Sequence, residues 1–156
     1  MKEREGNRTM SQDRIERDIL IAAPIEHVWD LVAQPGFWVA LDAAAPGTAE
    51  EGQETVATHP EYGSYPVRVE KTDPPTYLAY RWASAFEGAP LREDNTTLVE
   101  FLLTTEDDHT RLRVVETGFA ALAGDETVRE QAFKDNTGGW AEVLDLFRTR
   151  AEQAAA

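Results

Sequence analysis

The chain has 156 residues, 42% of them hydrophobic, with 29 Asp and Glu against 15 Lys and Arg and a formal net charge of −14. That is one domain's worth of chain, long enough for a sizeable core, and its acidic surface repels phosphate backbones and anionic lipid heads, which argues against nucleic-acid and membrane partners. The absence of cysteine excludes a disulfide framework, a thiolate metal site and a cysteine nucleophile.

The acid is unevenly placed. Residues 1–17 hold five basic and four acidic groups, so the remaining 139 hold 10 basic and 25 acidic. Residues 1–13 are polar and mixed in charge and read as a flexible tail, without the apolar stretch of a secretory signal. From Arg14 the pattern alternates, with Ile15, Arg17, Ile19 and Ile21 on one side and Glu16, Asp18 and Leu20 on the other, a strand period. Ala23-Pro24 stops it, since proline gives no N–H to a ladder and suits the first turn of a helix. Ile25, Val28, Trp29 and Val32 then follow at i, i+3, i+4 and i+7, an amphipathic helix. Pro35-Gly36 breaks it, and Phe37 to Leu41 reads as a second short helix.

The middle of the chain is strand and turn. Residues 53–59 and 65–72 are strand-like, and His59-Pro60-Glu61-Tyr62-Gly63 between them has the chemistry of a hairpin turn. Tyr62 and Tyr65 flank that turn as candidates for a cavity rim. Tyr77 to Phe86 is the next strand, with Leu78, Tyr80 and Trp82 on one face and Ala79 and Arg81 on the other. Thr97–Thr105 follows, where Val99, Phe101 and Leu103 alternate with Leu98, Glu100 and Leu102. Glu106 to His109 is an acidic turn. Thr110 to Gly118 then sets Leu112, Val114 and Glu116 opposite Arg111, Arg113, Val115 and Thr117.

The end of the chain is helical. Phe133, Trp140, Leu144 and Phe147 form one apolar stripe, and Asp125 or Thr127 can cap its start. From Asp125 to Gln153 such a helix runs about 42 Å, enough to cross a whole sheet. Gly138-Gly139 in its middle predicts a bend or a close approach, because a glycine costs a helix interior about 1 kcal/mol. Residues 151–156 are expected to fray. The order is strand, two short helices, a run of antiparallel strands, then one long helix. That is an α+β domain of two layers: a curved antiparallel sheet of about six strands wrapped on the C-terminal helix.

Five stretches in this order resemble the SRPBCC (START-like, helix-grip) superfamily, and within it homologues of the activator of heat-shock protein 90 ATPase. They are Ile21 to Trp29, Pro74-Pro75 through Trp82, Thr97 to Phe101, Thr110 to Phe119, and Gly139-Trp140 with Leu144. The resemblance covers residues 14–150 and implies the helix-grip fold with an apolar ligand cavity between helix and sheet. It also implies a choice among lipid and hormone binders, polyketide cyclases and a co-chaperone. Fold alone does not make that choice.

Nucleotide-binding and hydrolase motifs are absent, and the three histidines lie far apart in sequence, so no cofactor and no metal are expected. Glu116 is the residue singled out for chemistry. Alternation turns it to the helix side with Leu112 and Val114, and a carboxyl in an apolar pocket can act as general acid or base. The plainer alternative is a strand-end carboxylate that reaches water or pairs with an arginine. Asn136 and Thr137 stand on the helix stripe ahead of the glycine pair, able to bond a ligand headgroup or simply to be hydrated at a kink. Trp38, Tyr80, Trp82, Phe101, Phe119, Phe133 and Trp140, with Leu78, Val99, Val114 and Leu144, are the candidate ligand wall. Each ring alone is better explained as core; together they exceed what a core of this size needs.

The first expectation is therefore a cytoplasmic module, monomer or weak dimer, that binds a small apolar or amphipathic molecule. The alternatives are a cyclase- or hydratase-type enzyme using Glu116 in the same cavity, and a co-chaperone-like module that docks a chaperone or regulator.

Overall fold

Alternation in the strands and a 3.6-residue stripe at the C-terminus produce two layers that close on one core. A computed structural model of the chain describes residues 13–35, 38, 49–59, 61, 63–86 and 89–155. The elements are β1 (Arg14–Ile21), α1 (Ile25–Val32), β2 (Glu54–His59), β3 (Gly63–Asp73), β4 (Tyr77–Trp82), β5 (Thr97–Glu106), β6 (His109–Thr117) and α2 (Glu126–Ala155), with a 3-10 turn at Phe119–Ala121. The tail expected over residues 1–13 lies outside the described residues except for Asp13. The same is true of the second short helix, from which only Trp38 is described.

The six strands form one sheet in the order β1-β6-β5-β4-β3-β2, every neighbouring pair antiparallel. The β5–β6 hairpin closes on Asp107-Asp108, with Glu106 paired to His109. Asp107 takes φ +55° there, as a two-residue hairpin loop demands. Strand β4 stops at Trp82 rather than at Phe86, because Ala83 to Phe86 turns back on itself through Phe86 N–H to the Ala83 carbonyl at 3.1 Å.

One sheet face is apolar and meets the helices. Val67 and Val69 of β3, Leu78 and Tyr80 of β4, Val99 and Phe101 of β5, and Leu112 and Val114 of β6 are buried against Trp140, Leu144, Phe147 and Ala151 of α2. Phe101 is the hub, edge-on to Trp140 and Phe147 at ring separations of 5.8 and 5.7 Å. Such tilted aromatic contacts add to the gain from area burial alone. Helix α1 is tied to the sheet by the Tyr80 hydroxyl, which donates to the Val32 carbonyl at 2.5 Å. The opposite sheet face is polar and charged, with Arg111 bridging Asp18 and Glu106, and Arg81 near Glu70.

The N-terminus of α2 is capped by Asp125, whose carboxylate accepts the Val128 N–H at 3.1 Å. At the other end the helix passes the expected stop at Gln153 and runs to Ala155. Ala151 there is fully buried and Glu152 accepts the Ala22 N–H at 2.8 Å. The glycine pair is also placed differently from expectation. Helix α2 is uninterrupted through Gly138 and Gly139, and a Cβ added at either meets no atom within 4 Å. Close approach therefore does not account for them; they border open space. Gly138→Ala is expected to raise the unfolding free energy by about 1 kcal/mol, the helix-interior difference between the two residues. Urea denaturation checks this, and an unchanged or lowered midpoint contradicts it.

Candidate functional site

Among the described residues the inner face of the sheet carries one buried acid, Glu116. Glu116 is the last inward residue of β6 and is paired across the ladder with Val99 of β5, whose neighbour two positions back is Thr97. Thr97 in turn pairs with Trp82 at the end of β4. These three strand ends therefore present Glu116, Thr97 and Trp82 side by side. Asn136 and Trp140 stand one turn apart on the sheet-facing side of α2 and meet them.

Glu116 is fully buried, and every contact made to its carboxylate comes from a donor. Oε2 accepts from Thr97 Oγ1 at 2.5 Å, Trp82 Nε1 at 2.9 Å and Asn136 Nδ2 at 3.0 Å. Oε1 accepts from Trp140 Nε1 at 2.7 Å and from the same Asn136 nitrogen at 3.1 Å. Among the described residues no arginine is paired with it. Removal from solvent raises the Glu116 pKa above the usual carboxylate range, and the bonds from Thr97, Trp140, Trp82 and Asn136 partly offset that rise. Indole N–H groups only donate, and one points at each oxygen, so the donor set is built for an acceptor on both.

The carboxylate also fixes the amide beside it. Only the nitrogen end of Asn136 can face an acceptor, and Nδ2 uses its hydrogens on Glu116 and on Ser84 Oγ, the latter at 2.9 Å. Thr137 has no such role: its hydroxyl donates to the Phe133 carbonyl of its own helix at 2.7 Å.

In front of this cluster lies an open cleft of about 880 Å³ between α2 and the β2–β4 end of the sheet. Trp38, Tyr65, Trp82 and Trp140 supply its aromatic wall, and Ser84 and Asn136 its polar one. His59, Lys134, Asp135 and Glu142 also line it, as do Gly138 and Gly139. The indoles of Trp82 and Trp140 thus have their N–H edges on Glu116 while their side chains border the cleft. Trp38 packs on both at 5.6 and 6.0 Å.

Of the residues expected at a ligand wall, Trp38, Trp82, Asn136 and Trp140 border the cleft. Leu78, Tyr80, Val99, Phe101, Val114, Phe119 and Leu144 lie buried in the core, and Phe133 is half-buried edge-on to Phe119 at 5.4 Å. Tyr65, one of the two expected rim tyrosines, lines the cleft; Tyr62 lies outside the described residues. Sequence reasoning missed Ser84, which it placed inside a strand, and took the glycine pair for a packing feature. The donors around Glu116 were missed too. Among the described residues no group of three or more His, Asp and Glu side chains is arranged to hold a metal ion.

Glu116→Gln is expected to lower the unfolding free energy at neutral pH by about 1–3 kcal/mol, since either orientation of the new amide turns its NH₂ toward one indole N–H. The pH dependence carries a sign. A carboxyl whose pKa is raised by folding binds its proton more tightly in the folded state. Wild type therefore gains stability relative to Glu116→Gln as pH falls from above the folded pKa toward the unfolded value near 4.5. Urea melts of both proteins across that window measure the gap; a gap that stays constant or narrows toward acid contradicts the burial account.

Comparison with known proteins agrees with this architecture. Protein MLL2253 from Mesorhizobium loti superposes with a TM-score of 0.67 at 18% identity, over 90% of this chain and 97% of that one. The Aha1 dimer from Colwellia psychrerythraea gives 0.66 at 18% identity, over 89% and 96%. CalU16 from Micromonospora echinospora gives 0.59 at 22% identity, over 88% and 75%. At such identities these likenesses show the helix-grip fold and no more. No curated protein matches the chain in sequence. Among the described residues no helix is long and apolar enough to cross a membrane. Residues 22–152, which span α1, the whole of β2 to β6 and nearly all of α2, match one family throughout, and the chain belongs to the Activator of Hsp90 ATPase homolog 1-like proteins.

Proposed function

We propose that this protein binds a small apolar or amphipathic molecule in the cleft between α2 and the sheet. The observation that carries this reading is the wall itself: four aromatic side chains, Trp38, Tyr65, Trp82 and Trp140, border an open volume of about 880 Å³. That falls within the range of ligand sites, roughly 300–1,000 Å³. The helix glycines add support. Two glycines inside α2 sacrifice helix stability, and both face open space on the cleft, which is what keeping a binding volume clear requires.

A catalytic role for Glu116 is the second reading, favoured by its raised pKa. Its oxygens, however, are covered and engaged by four side chains. A general acid or base needs hydrogen-bond reach to the reacting group, so binding is the better supported use, with Glu116 holding the wall.

Native mass spectrometry of protein purified without denaturation tests the reading. Wild type is expected to carry a co-purifying apolar compound. Gly139→Leu, which extends a side chain into the open space beside the helix, is expected to lose it while keeping the wild-type circular dichroism spectrum. Bare wild-type protein, or a compound retained equally by the variant, counts against this site.

A further inference from the structure

The cleft's polar wall is more specific than its aromatic one. Asn136 Nδ2 spends both hydrogens, one on Glu116 and one on Ser84 Oγ. The amide cannot turn over, because its oxygen would then face a carboxylate that only accepts. Oδ1 is therefore the free end of Asn136, a fixed acceptor with no partner among the described residues. Ser84 is the complement. Its oxygen accepts from Asn136, so the hydroxyl hydrogen remains to be donated, and it too has no acceptor among the described residues. Both residues line the cleft, and they are hydrogen-bonded neighbours at 2.9 Å. An acceptor and a donor thus stand side by side beneath a wall of three indoles and a phenol ring.

Resting on the binding reading above, we infer that the cleft selects an uncharged aromatic molecule with an N–H beside a C=O, as in a cyclic amide. The N–H donates to Asn136 Oδ1 and the carbonyl accepts from the Ser84 hydroxyl. The alternatives fit less well on donor and acceptor grounds. An ammonium offers donors only and leaves the Ser84 hydrogen unpaired. A carboxylate or phosphate offers acceptors only, leaves Asn136 Oδ1 unpaired, and meets the field of the Glu116 carboxyl behind the wall. A hydrocarbon leaves both unpaired. Each bond left unmade once the ligand has displaced water from these groups is costly. Glu116 is in this scheme a positioning residue: it touches no ligand and sets which end of Asn136 the ligand meets.

The test is a tryptophan-fluorescence titration of the full chain with three probes of one shape: 2-quinolone, N-methyl-2-quinolone and naphthalene. The first has the N–H and the carbonyl, the second the carbonyl alone, the third neither. Wild type is expected to bind 2-quinolone about tenfold more tightly than its N-methyl derivative, the effect of one good hydrogen bond, and naphthalene more weakly still. In Ser84→Ala the advantage of N-methyl-2-quinolone over naphthalene is expected to vanish, while 2-quinolone keeps its advantage over the N-methyl compound. Ser84→Thr, which retains the hydroxyl, is expected to restore the wild-type order. Equal binding of all three probes overturns the donor–acceptor assignment and leaves cleft binding standing. A preference unchanged in Ser84→Ala overturns the role of Ser84. Failure of all three to bind overturns the inference, while the co-purified compound decides the binding reading separately.

Discussion

One buried carboxylate organises the junction between the helix and the sheet. An acid taken wholly out of water is unfavourable unless its oxygens are hydrogen-bonded, and Glu116 answers that demand with donors from β4, β5 and α2 at once. The consequence is geometric. Two tryptophans and an asparagine, which have many packings open to them as loose side chains, are each held by a directional bond to the same two oxygens. Helix α2 is thereby set in rotation and in height against the sheet at that point, where apolar contacts alone leave sliding cheap. The aromatic stack on Phe101 and Phe147 supplies the bulk of the apolar burial; the carboxylate supplies the register.

The same arrangement explains why the cleft has walls at all. Near Phe101 and Phe147 the helix and sheet meet ring to ring, with both side chains fully buried. At Gly138 and Gly139 themselves the helix adds no side chain to the cleft, and the indole N–H edges of Trp82 and Trp140 are held on Glu116. A polar anchor behind an aromatic wall is a way to keep a hollow open in a protein interior that otherwise packs to crystal density.

Much of this was legible in the residues, and the reasons are specific. The strands were readable because Val99, Phe101 and Leu103, or Leu112, Val114 and Glu116, alternate without interruption; the inward side of Glu116 followed from that count. The family resemblance followed from five stretches in order, from Ile21 to Trp29 at one end to Gly139-Trp140 with Leu144 at the other. The partners of Glu116 were not readable, because Trp82, Thr97 and Asn136 are brought to it by strand pairing and helix docking across tens of residues, and nothing local marks an indole as a donor to a distant acid. Ser84 was hidden for a nearer reason: the apolar run through Phe86 continued the strand pattern, and only the Trp82 anchor and the turn after it show that the ladder has ended. The ring-rich wall was likewise divisible only in three dimensions, since Tyr80 and Phe101 share their alternation with Trp82 and differ from it only in depth.

The position of β1 has a consequence for assembly. Among the described residues its one strand partner is β6, with Ile21 opposite Thr110 and Ile15 opposite Glu116, so docking β1 closes a loop of about 90 residues, whereas β5 and β6 meet across a loop of two. The entropy of that closure is recovered only after the central strands already stand in register. Among the described strands β1 is thus made before all of its sheet neighbours and waits longest for its partner, and the alternation of charge along it, Arg14, Glu16, Arg17 and Asp18, guards its unpaired edge against wrong pairing in the meantime.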